Sequence, residues 1–430
     1  MGHSHGHGHE HGGFDAQHWR SWLADPRSRV IGWMLMVAAA ATVGGIIAYW
    51  PSGDGRQAAI VSANELGLVS DRLAATVLQV TDAQCSYSSD PGEICRQMDV
   101  RLDDGPEAGS LVALPEVNLA FNPYLPDLSP GDGVVLGYED STGIYFFTDV
   151  DRRSTLLILA ALFMAVVVTF GRLRGLLALV AMAATLVILV AFVAPSVLDG
   201  NDPLAVSVVA ACAIAFVTLY TTHGPTPTTT VALAGTLGAL GVTLALSWLF
   251  FALAEFSGLA SEEALTLPFV ANQVDVGALL LGGAIIGALG ALDDVTVTQV
   301  ATVSELRRHS PDMPAKELFA AGIRVGREHI ASTVNTLLLA YAGASMPLLL
   351  LFAASDQSLQ MIANTEVVAI EIARTLCGSM GLVAAVPVTT ALAAALSGRA
   401  DAITGSDAAQ RETPPPSWDD FAPPDELRGI

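Results

Sequence analysis

The chain has few charged residues, and the positively charged ones are the scarcest. Only 14% of its 430 residues are charged, with 20 Lys and Arg against 42 Asp and Glu, so the formal net charge is −22. A protein that binds nucleic acid normally presents a basic patch or stripe to the phosphates. Because this chain is acidic and has no such stripe, nucleic acid is not expected among its partners.

The sequence also lacks motifs of ATP-driven and zinc-dependent chemistry. It contains neither a phosphate-binding loop of the form Gly-x-x-x-x-Gly-Lys-Ser/Thr nor a His-Glu-x-x-His zinc motif. We therefore expect no enzymatic activity. Without a nucleotide site, any transport should be secondary or channel-like.

Apolar sequence, by contrast, is abundant, at 52% of the residues. A helix rises about 1.5 Å per residue and the bilayer core is about 30 Å thick, so a run of about 17 to 25 apolar residues crosses once. The sequence thus predicts an all-α polytopic membrane bundle of about eight transmembrane helices. The predicted spans are Val30–Tyr49, Thr155–Phe170, Leu176–Ala194, Leu204–Tyr220, Thr229–Leu253, Val276–Leu292, Ile330–Phe352 and Leu382–Leu396.

The arginines predict the orientation of these spans. With eight spans, the basic residues before the first, between the second and third, between the sixth and seventh and after the eighth all fall on one face. Arg152 and Arg153, at the outer mouth of the second span, are the exception. Positive residues are enriched in cytoplasmic loops, so both ends should be cytoplasmic and residues 51–153 outside. A cleaved signal peptide is the alternative for the first span. The 29 residues before it are long for the charged first region of a signal peptide and its apolar run is long for the second, which favours an uncleaved anchor.

Five domains follow from this reading. They are a disordered His-rich start (1–29), the first transmembrane helix (30–50), an exported β domain (51–153), a seven-helix membrane domain (154–397) and a disordered acidic, Pro-rich tail (398–430).

The exported insert contains short strand-like runs punctuated by Gly, Pro and Asp. Five such runs in a small domain predict an OB-like barrel or a sandwich. Cys85 and Cys95 are the only cysteines in this insert, and on an oxidising side of the membrane they are expected to form a disulfide; two free thiols are the alternative. The runs are Leu73–Thr81, Gln97–Leu102, Ser110–Leu114, Gly133–Tyr138 and Gly143–Thr148.

The start of the chain alternates histidine with small residues. Imidazole is a common metal ligand near neutral pH, and a flexible spacer lets several rings converge on one ion. The pattern predicts binding of a divalent metal, Zn²⁺ or Ni²⁺, although a disordered tract offers no surrounding shell to select a metal in the cell. The candidate ligands are His3, His5, His7, His9 and His11.

The sharpest polar motif follows the sixth span. Asp293, Asp294 and Thr296 come directly after its apolar run, and their carboxylates and hydroxyl would suit a cation or a proton. A solvated helix end is the alternative. Asn335 lies one turn inside the next span, so we expect Asp293 to approach it; an interhelical hydrogen bond is the simpler role for that asparagine.

A second polar group precedes the eighth span. Glu366 begins it, and the i, i+3 spacing of Glu371 and Arg374 allows an ion pair. This segment is expected to lie in the interface or to re-enter the bilayer, and Pro387 to interrupt the helix that follows. A shared polar site in which this group contacts Asp293 directly is less expected than one in which Asp293 approaches Asn335.

At these motifs the chain resembles the YibE/F family of multi-pass bacterial membrane proteins. The resemblance covers roughly Leu73–Ser397 and implies a location in the bacterial plasma membrane, but no established substrate or catalytic residue. The matching stretches are GALDDVTVTQVATVSEL from Gly290, STVNTLLLAYAGASMPLLLLF from Ser332 and EIARTLCGSMGLVAAVPVTT from Glu371.

The sequence leaves two functions open. Many spans, short loops and polar positions in spans six to eight favour a secondary transporter or permease for a small solute or ion. The alternative is a non-transporting membrane scaffold or sensor, whose exported β domain binds a partner or an envelope ligand. Expected partners are the lipid bilayer and either a second copy of the chain or an envelope protein.

Overall fold

The computed structural model describes residues 22, 25–66, 71–90, 92–139, 142–355 and 357–396. It is mostly helical, with a small antiparallel sheet. The chain forms two compact units. Met1–Gly55, Val180–Pro268 and Asn272–Ile430 make the helical unit, and Arg56–Leu179 with Phe269–Ala271 makes the unit that holds the sheet. The predicted His-rich metal site and acidic tail lie outside the described residues.

The helices of the described residues are numbered along the chain. A π-helical turn, Leu189–Val193, joins α3 to α4. The helices are α1 (Pro26–Ala48), α2 (Asp54–Glu65), α3 (Arg153–Ile188), α4 (Ala194–Leu198), α5 (Pro203–His223), α6 (Pro227–Leu253), α7 (Glu262–Val270), α8 (Val276–His309), α9 (Ala315–Ala344), α10 (Met346–Ala353), α11 (Leu359–Ala363) and α12 (Glu366–Leu396).

Three long helices begin at a polar cap followed by proline. The side chains of Asp25, Asp202 and Thr226 accept hydrogen bonds of 2.9, 2.6 and 3.1 Å from backbone N–H groups of the following turn. Such a cap satisfies a donor that has no partner inside the helix, and proline suits the first helical position because its φ is already helical. The local sequence therefore determines where α1, α5 and α6 begin.

Helix α8 lies at the centre of the helical unit and packs against α5, α6, α9 and α12. Small residues let the neighbouring helices approach closely, as in other membrane bundles. Gly235 of α6 lies against Thr389 of α12, and Gly381 of α12 lies against Thr243 of α6. A Cβ at either glycine would collide with the threonine hydroxyl.

Six helical stretches are long and apolar enough to cross a membrane, or seven if α9 and α10, bent by 67° at their junction, form one broken span. The sequence predicted eight. The difference arises mainly in one 46-residue helical stretch, Arg153–Leu198, which contains both the second and the third predicted span. The backbone of Arg172 is non-helical there, with φ 50° and ψ −133°, and Gly175 packs against the carbonyl of Val167. The chain thus bends sharply where the sequence placed a turn.

The prediction for the segment that forms α12 was wrong. The segment from Glu366 was expected to lie in the interface or to re-enter the bilayer, with a break at Pro387. It is instead the first half of one continuous 31-residue helix that runs through Pro387 to Leu396. Packing against α6, α8 and α9 supports this helix across the proline.

The second unit contains one antiparallel sheet in the order β3-β2-β1-β5-β6, with β4 paired to β2. The predicted small β domain is therefore present. In the described residues β3 and β6 are not paired with each other, so the pairing does not close a barrel. The strands are β1 (Asp71–Gln84), β2 (Ile94–Leu102), β3 (Leu111–Ala113), β4 (Val117–Asn118), β5 (Gly133–Glu139) and β6 (Ile144–Val150).

The core of this unit lies on one face of the sheet. Val77, Met98, Val100 and Leu136 are fully covered by protein. The predicted disulfide joins Cys85 to Cys95, with an S–S distance of 2.07 Å. The bond connects the end of β1 to the start of β2, and both cysteines are buried.

Candidate functional site

Asp293 lies near the middle of α8, inside the helical unit. The sequence placed it at the end of a span, but α8 continues to His309, well beyond the apolar run. Its flanking residues Leu292 and Val295 belong to the hydrophobic core. The carboxylate is therefore half-buried among packed helices and is not at a solvated helix end.

Hydroxyl groups surround this carboxylate. Thr218 of α5 donates a hydrogen bond to Asp293 Oδ2 at 3.0 Å. Thr296 donates to the Asp293 backbone carbonyl at 3.1 Å, and its hydroxyl lies 2.6 Å from that of Thr236 on α6. Three helices thus contribute hydroxyls to one place. We call these residues, Asp293, Thr218, Thr236 and Thr296, the aspartate centre.

One oxygen of the aspartate centre has no partner. Asp293 Oδ1 is buried and accepts no hydrogen bond in the described part of the chain. A buried charged or polar group is costly unless it is paired. A proton on the carboxylate, or a small cation held by it and the neighbouring hydroxyls, would remove that cost. The donor set consists of oxygens only, which suits a proton or a hard cation.

A second polar side chain, the buried amide of Gln299, lies nearly two turns further along α8. Gln299 donates to the Gly322 carbonyl of α9 at 2.9 Å and to Thr390 Oγ1 of α12 at 2.7 Å. Gly326 also packs against this side chain. Because both described bonds go to neighbouring helices, Gln299 joins α8, α9 and α12, and its role is structural.

A cleft of about 600 Å³ opens at the end of the helical unit where α8 and α12 begin. The ion pair predicted between Glu371 and Arg374 forms there, with an N–O distance of 2.8 Å. The Nε atom of Arg374 is buried and has no hydrogen-bond partner among the described residues. The remaining walls come from the 258–264 segment, the start of α8 and the bend between α9 and α10.

Two other carboxylates of the helical unit hold loops in place through hydrogen bonds. Glu366 accepts hydrogen bonds from the Ser257 backbone and hydroxyl and from the Gly258 backbone, at 2.8 to 3.0 Å. Asp199 likewise accepts from backbone N–H groups of the segment that follows α1, including Gly55 at 2.8 Å. Gly258 has φ +80° and lies against the Val276 carbonyl, a position that a side chain would not fit. Glu366 therefore holds a loop and does not join the aspartate centre.

The predicted site residues thus fall into separate places. Asp293 and Thr296 belong to the aspartate centre, but Asp294 is exposed on another face of α8. Asn335 is also exposed, and no hydrogen bond joins it to Asp293 in the described residues, so the expected approach of these two side chains is not seen. The reason is that α9 buries residues only in its first half, from Leu318 to Gly326.

Distance along α8 separates the cleft from the aspartate centre. The cleft reaches Gly283, and Asp293 lies ten residues, about 15 Å, further along the helix. Between them Ile285 and Leu289 are buried in the hydrophobic core. An apolar layer thus separates the two polar places.

Sequence reasoning missed the threonines contributed by α5 and α6. Thr229, Thr236 and Thr243 recur every seven residues in α6, and all three are buried on the face that packs inside the bundle. Such spacing puts side chains on one helix face. The sequence therefore shows a stripe of hydroxyl groups along one face of an apolar span. It does not show which carboxylate this stripe contacts.

The described residues contain no group of three or more His, Cys, Asp or Glu that could hold a metal ion. The predicted histidine ligands lie outside those residues.

Comparison with known proteins gives a family. No curated protein and no solved structure matches the chain. The family model described as YibE/F-like protein matches residues 159–399, which include the aspartate centre and the cleft. The match covers more than half of the 430 residues and, together with the apolar helices, identifies a membrane protein. The chain belongs to the YibE/F-like family.

Proposed function

We propose that this protein is a secondary transporter or permease for a small solute or ion, with the aspartate centre as its ion-handling site. The observation that carries the proposal is the buried Oδ1 of Asp293, which has no partner in the described residues although hydroxyls from three helices converge beside it. Ionisable groups within membrane helices commonly mark ion or proton pathways. A purely structural carboxylate would be expected to have both oxygens satisfied.

The cleft supports the same proposal. It opens at one end of the helical unit and stops at Gly283, while Asp293 lies beyond an apolar layer. An arrangement open to one side and closed to the other suits a carrier that alternates access. The 67° bend between α9 and α10 at the wall of the cleft is the kind of broken helix that transporters use near their sites.

For the topology, we propose eight spans, with the bend at Arg172 as a cytoplasmic turn and α9 with α10 as one broken span. A single straight helix of 46 residues would be about 69 Å long, more than twice the hydrocarbon thickness. Both ends would then be cytoplasmic, residues 51–153 outside, and the membrane that of the bacterial cell. We also propose that the protein is not an enzyme and does not bind nucleic acid.

A scaffold or sensor role is the second candidate, favoured by the β unit. Phe121 and Tyr124 follow β4 and are 78% and 94% exposed, more than aromatic side chains usually are in a small folded domain. The strand pairing suits a partly open OB-like barrel. An envelope protein or a second copy of the chain would be the partner of such a surface.

Flux through purified full-length protein in proteoliposomes tests the transport proposal. The probes are sodium-22 uptake and proton entry reported by trapped pyranine, each driven by a potassium diffusion potential. We expect the wild type to pass one of the two ions and Asp293→Asn to reduce that flux at least ten-fold. Asp294→Asn changes the adjacent but exposed carboxylate and should retain most of it. A wild type that passes neither ion would favour the scaffold role.

A further inference from the structure

A groove of about 430 Å³ lies between α1 and the end of α5, and its lining is almost entirely apolar. Trp33 and Met36 of α1 form one wall, and Phe216 and Tyr220 of α5 face them. Trp33 and Met36 are 65% and 59% exposed, so protein does not cover this wall in the described residues. Apolar surface of this kind is expected to be covered by something other than water.

The length of the groove suits one leaflet of a bilayer. Its lining runs along α1 from Arg29 to Ala39, a rise of ten residues or about 15 Å along the helix. The hydrocarbon core is about 30 Å thick, so one leaflet is about half of that. An acyl chain of one leaflet, lying along α1, would therefore occupy the whole length of the groove.

One end of the groove carries a positive charge. Arg29 lines it, is exposed, and forms no ion pair or hydrogen bond through its side chain with any other described residue. Tyr220 and Thr230 add hydroxyl groups, 3.3 Å apart, at the same end. A guanidinium beside hydroxyls offers several donors to a phosphate.

From the apolar walls, the leaflet-sized length and the charged end, we propose that the groove between α1 and α5 binds a phospholipid with an anionic headgroup, its phosphate on Arg29 and one acyl chain beside Trp33 and Phe216. At the other end of α1, Gly45 lies directly against Val209 of α5. The site is independent of transport. It would attach the first helix to the bundle through a lipid.

Native mass spectrometry of the delipidated full-length protein tests the site, with phosphatidylglycerol and phosphatidylcholine of identical acyl chains as probes. We expect the wild type to retain phosphatidylglycerol in preference. Arg29→Gln should reduce that preference about five-fold, the effect of one basic residue on an anionic lipid. Arg27→Gln, an exposed arginine on the same turn of α1 that does not line the groove, should leave it unchanged. Equal effects of the two substitutions would overturn the headgroup assignment.

A second pair of variants tests the acyl chain. Ala39→Phe places a ring in the groove and should reduce retention of both lipids, whereas Ala40→Phe, at the exposed neighbouring position outside the groove, should not. Because α1 is largely exposed, both variants should fold, which the melting temperature of the purified protein checks. Unchanged retention in Ala39→Phe would overturn the proposal. A wild-type dimer that carries no lipid and dissociates on Ala39→Phe would assign the groove to a second copy and also overturn it.

Discussion

Asp293 and Glu371 both lie in membrane helices of the same unit, but the two carboxylates have different partners. Glu371 forms an ion pair with Arg374 at 2.8 Å in a cleft, and both side chains keep about a quarter of their surface exposed. Asp293 has a threonine donor on one oxygen and no hydrogen-bond partner on the other among the described residues. One carboxylate is balanced by a cation of the protein. The other has an oxygen without a partner among the described residues, which is why the proposed ion-handling role is assigned to Asp293.

The packing around the aspartate centre also differs from the packing at the cleft. Around the aspartate centre, glycines of α6 and α12 contact hydroxyls directly, whereas Gly283 at the cleft has no atom within 4 Å of where a Cβ would stand. Mobile parts of a transporter are expected where packing is loose. Under the transport proposal, the cleft and its loops should move, and not the helices around Asp293.

The largest effect is expected from filling space near the aspartate centre. Gly381→Ala places a methyl group against Thr243, so we expect a loss of about 1 to 3 kcal/mol of stability from overpacking. Gly378→Ala lies on the same helix one turn away, where a Cβ meets only Ala288 at 4.0 Å, and Gly283→Ala points into the cleft. Melting temperatures in detergent should fall for the first variant alone. A similar decrease in melting temperature for all three variants would show that the helices are packed equally tightly near the aspartate centre and at the cleft.

Breaking the cleft ion pair should have a smaller effect. Glu371→Gln and Arg374→Gln each leave a half-buried charge without its partner, and the double variant removes both charges. We expect a coupling of about 1 kcal/mol in a double-mutant cycle on thermal stability, more than an exposed pair usually gives. Additive losses would mean that the pair contributes nothing beyond its separate groups.

An ion pair in the β unit, whose carboxylate is exposed, provides the smallest expected effect. Hydrogen bonds from Arg96, at 2.8 Å, lower the pKa of Asp82 below its usual value. Because the folded pKa is the lower one, the stabilisation is complete above the unfolded pKa of about 4 and is lost as the pH falls through the folded pKa. Asp82→Asn should weaken hydrogen-exchange protection of β2 by up to about 1 kcal/mol at pH 6. In acid well below pH 4 the variant and the wild type should converge. A difference that persists in acid would exclude the ion pair as its cause.

The sequence predicted well those features that depend on local composition. Apolar run length predicted long apolar helices, although eight spans were expected and the described residues give six or seven. Alternation and turns predicted the sheet, and the cysteines of the insert predicted the disulfide. Asp293 was identified because a carboxylate after an apolar run is uncommon. Each of these signals is carried by neighbouring residues and needs no knowledge of tertiary packing.

Features that depend on which helix faces meet could not be predicted in this way. Asn335 was expected inside the bundle but is exposed, since only the first half of α9 packs against its neighbours. Pro387 was expected to break a helix, but packing on three sides keeps α12 continuous. Thr218 and Thr236 meet Asp293 or its neighbour only because α5, α6 and α8 cross there.

The most direct test of the account is chemical modification of Asp293 in the purified protein. Dicyclohexylcarbodiimide reacts with protonated carboxyl groups in apolar surroundings, and peptide mass spectrometry locates the modified residue. We expect modification at Asp293, slowed by sodium ions or by alkaline pH, and little at the ion-paired Glu371 or the exposed Asp294. Modification of Asp294 or Glu371 to the same extent, or an Asp293 whose modification neither sodium nor alkali slows, would contradict the assignment of an ion-handling site to Asp293.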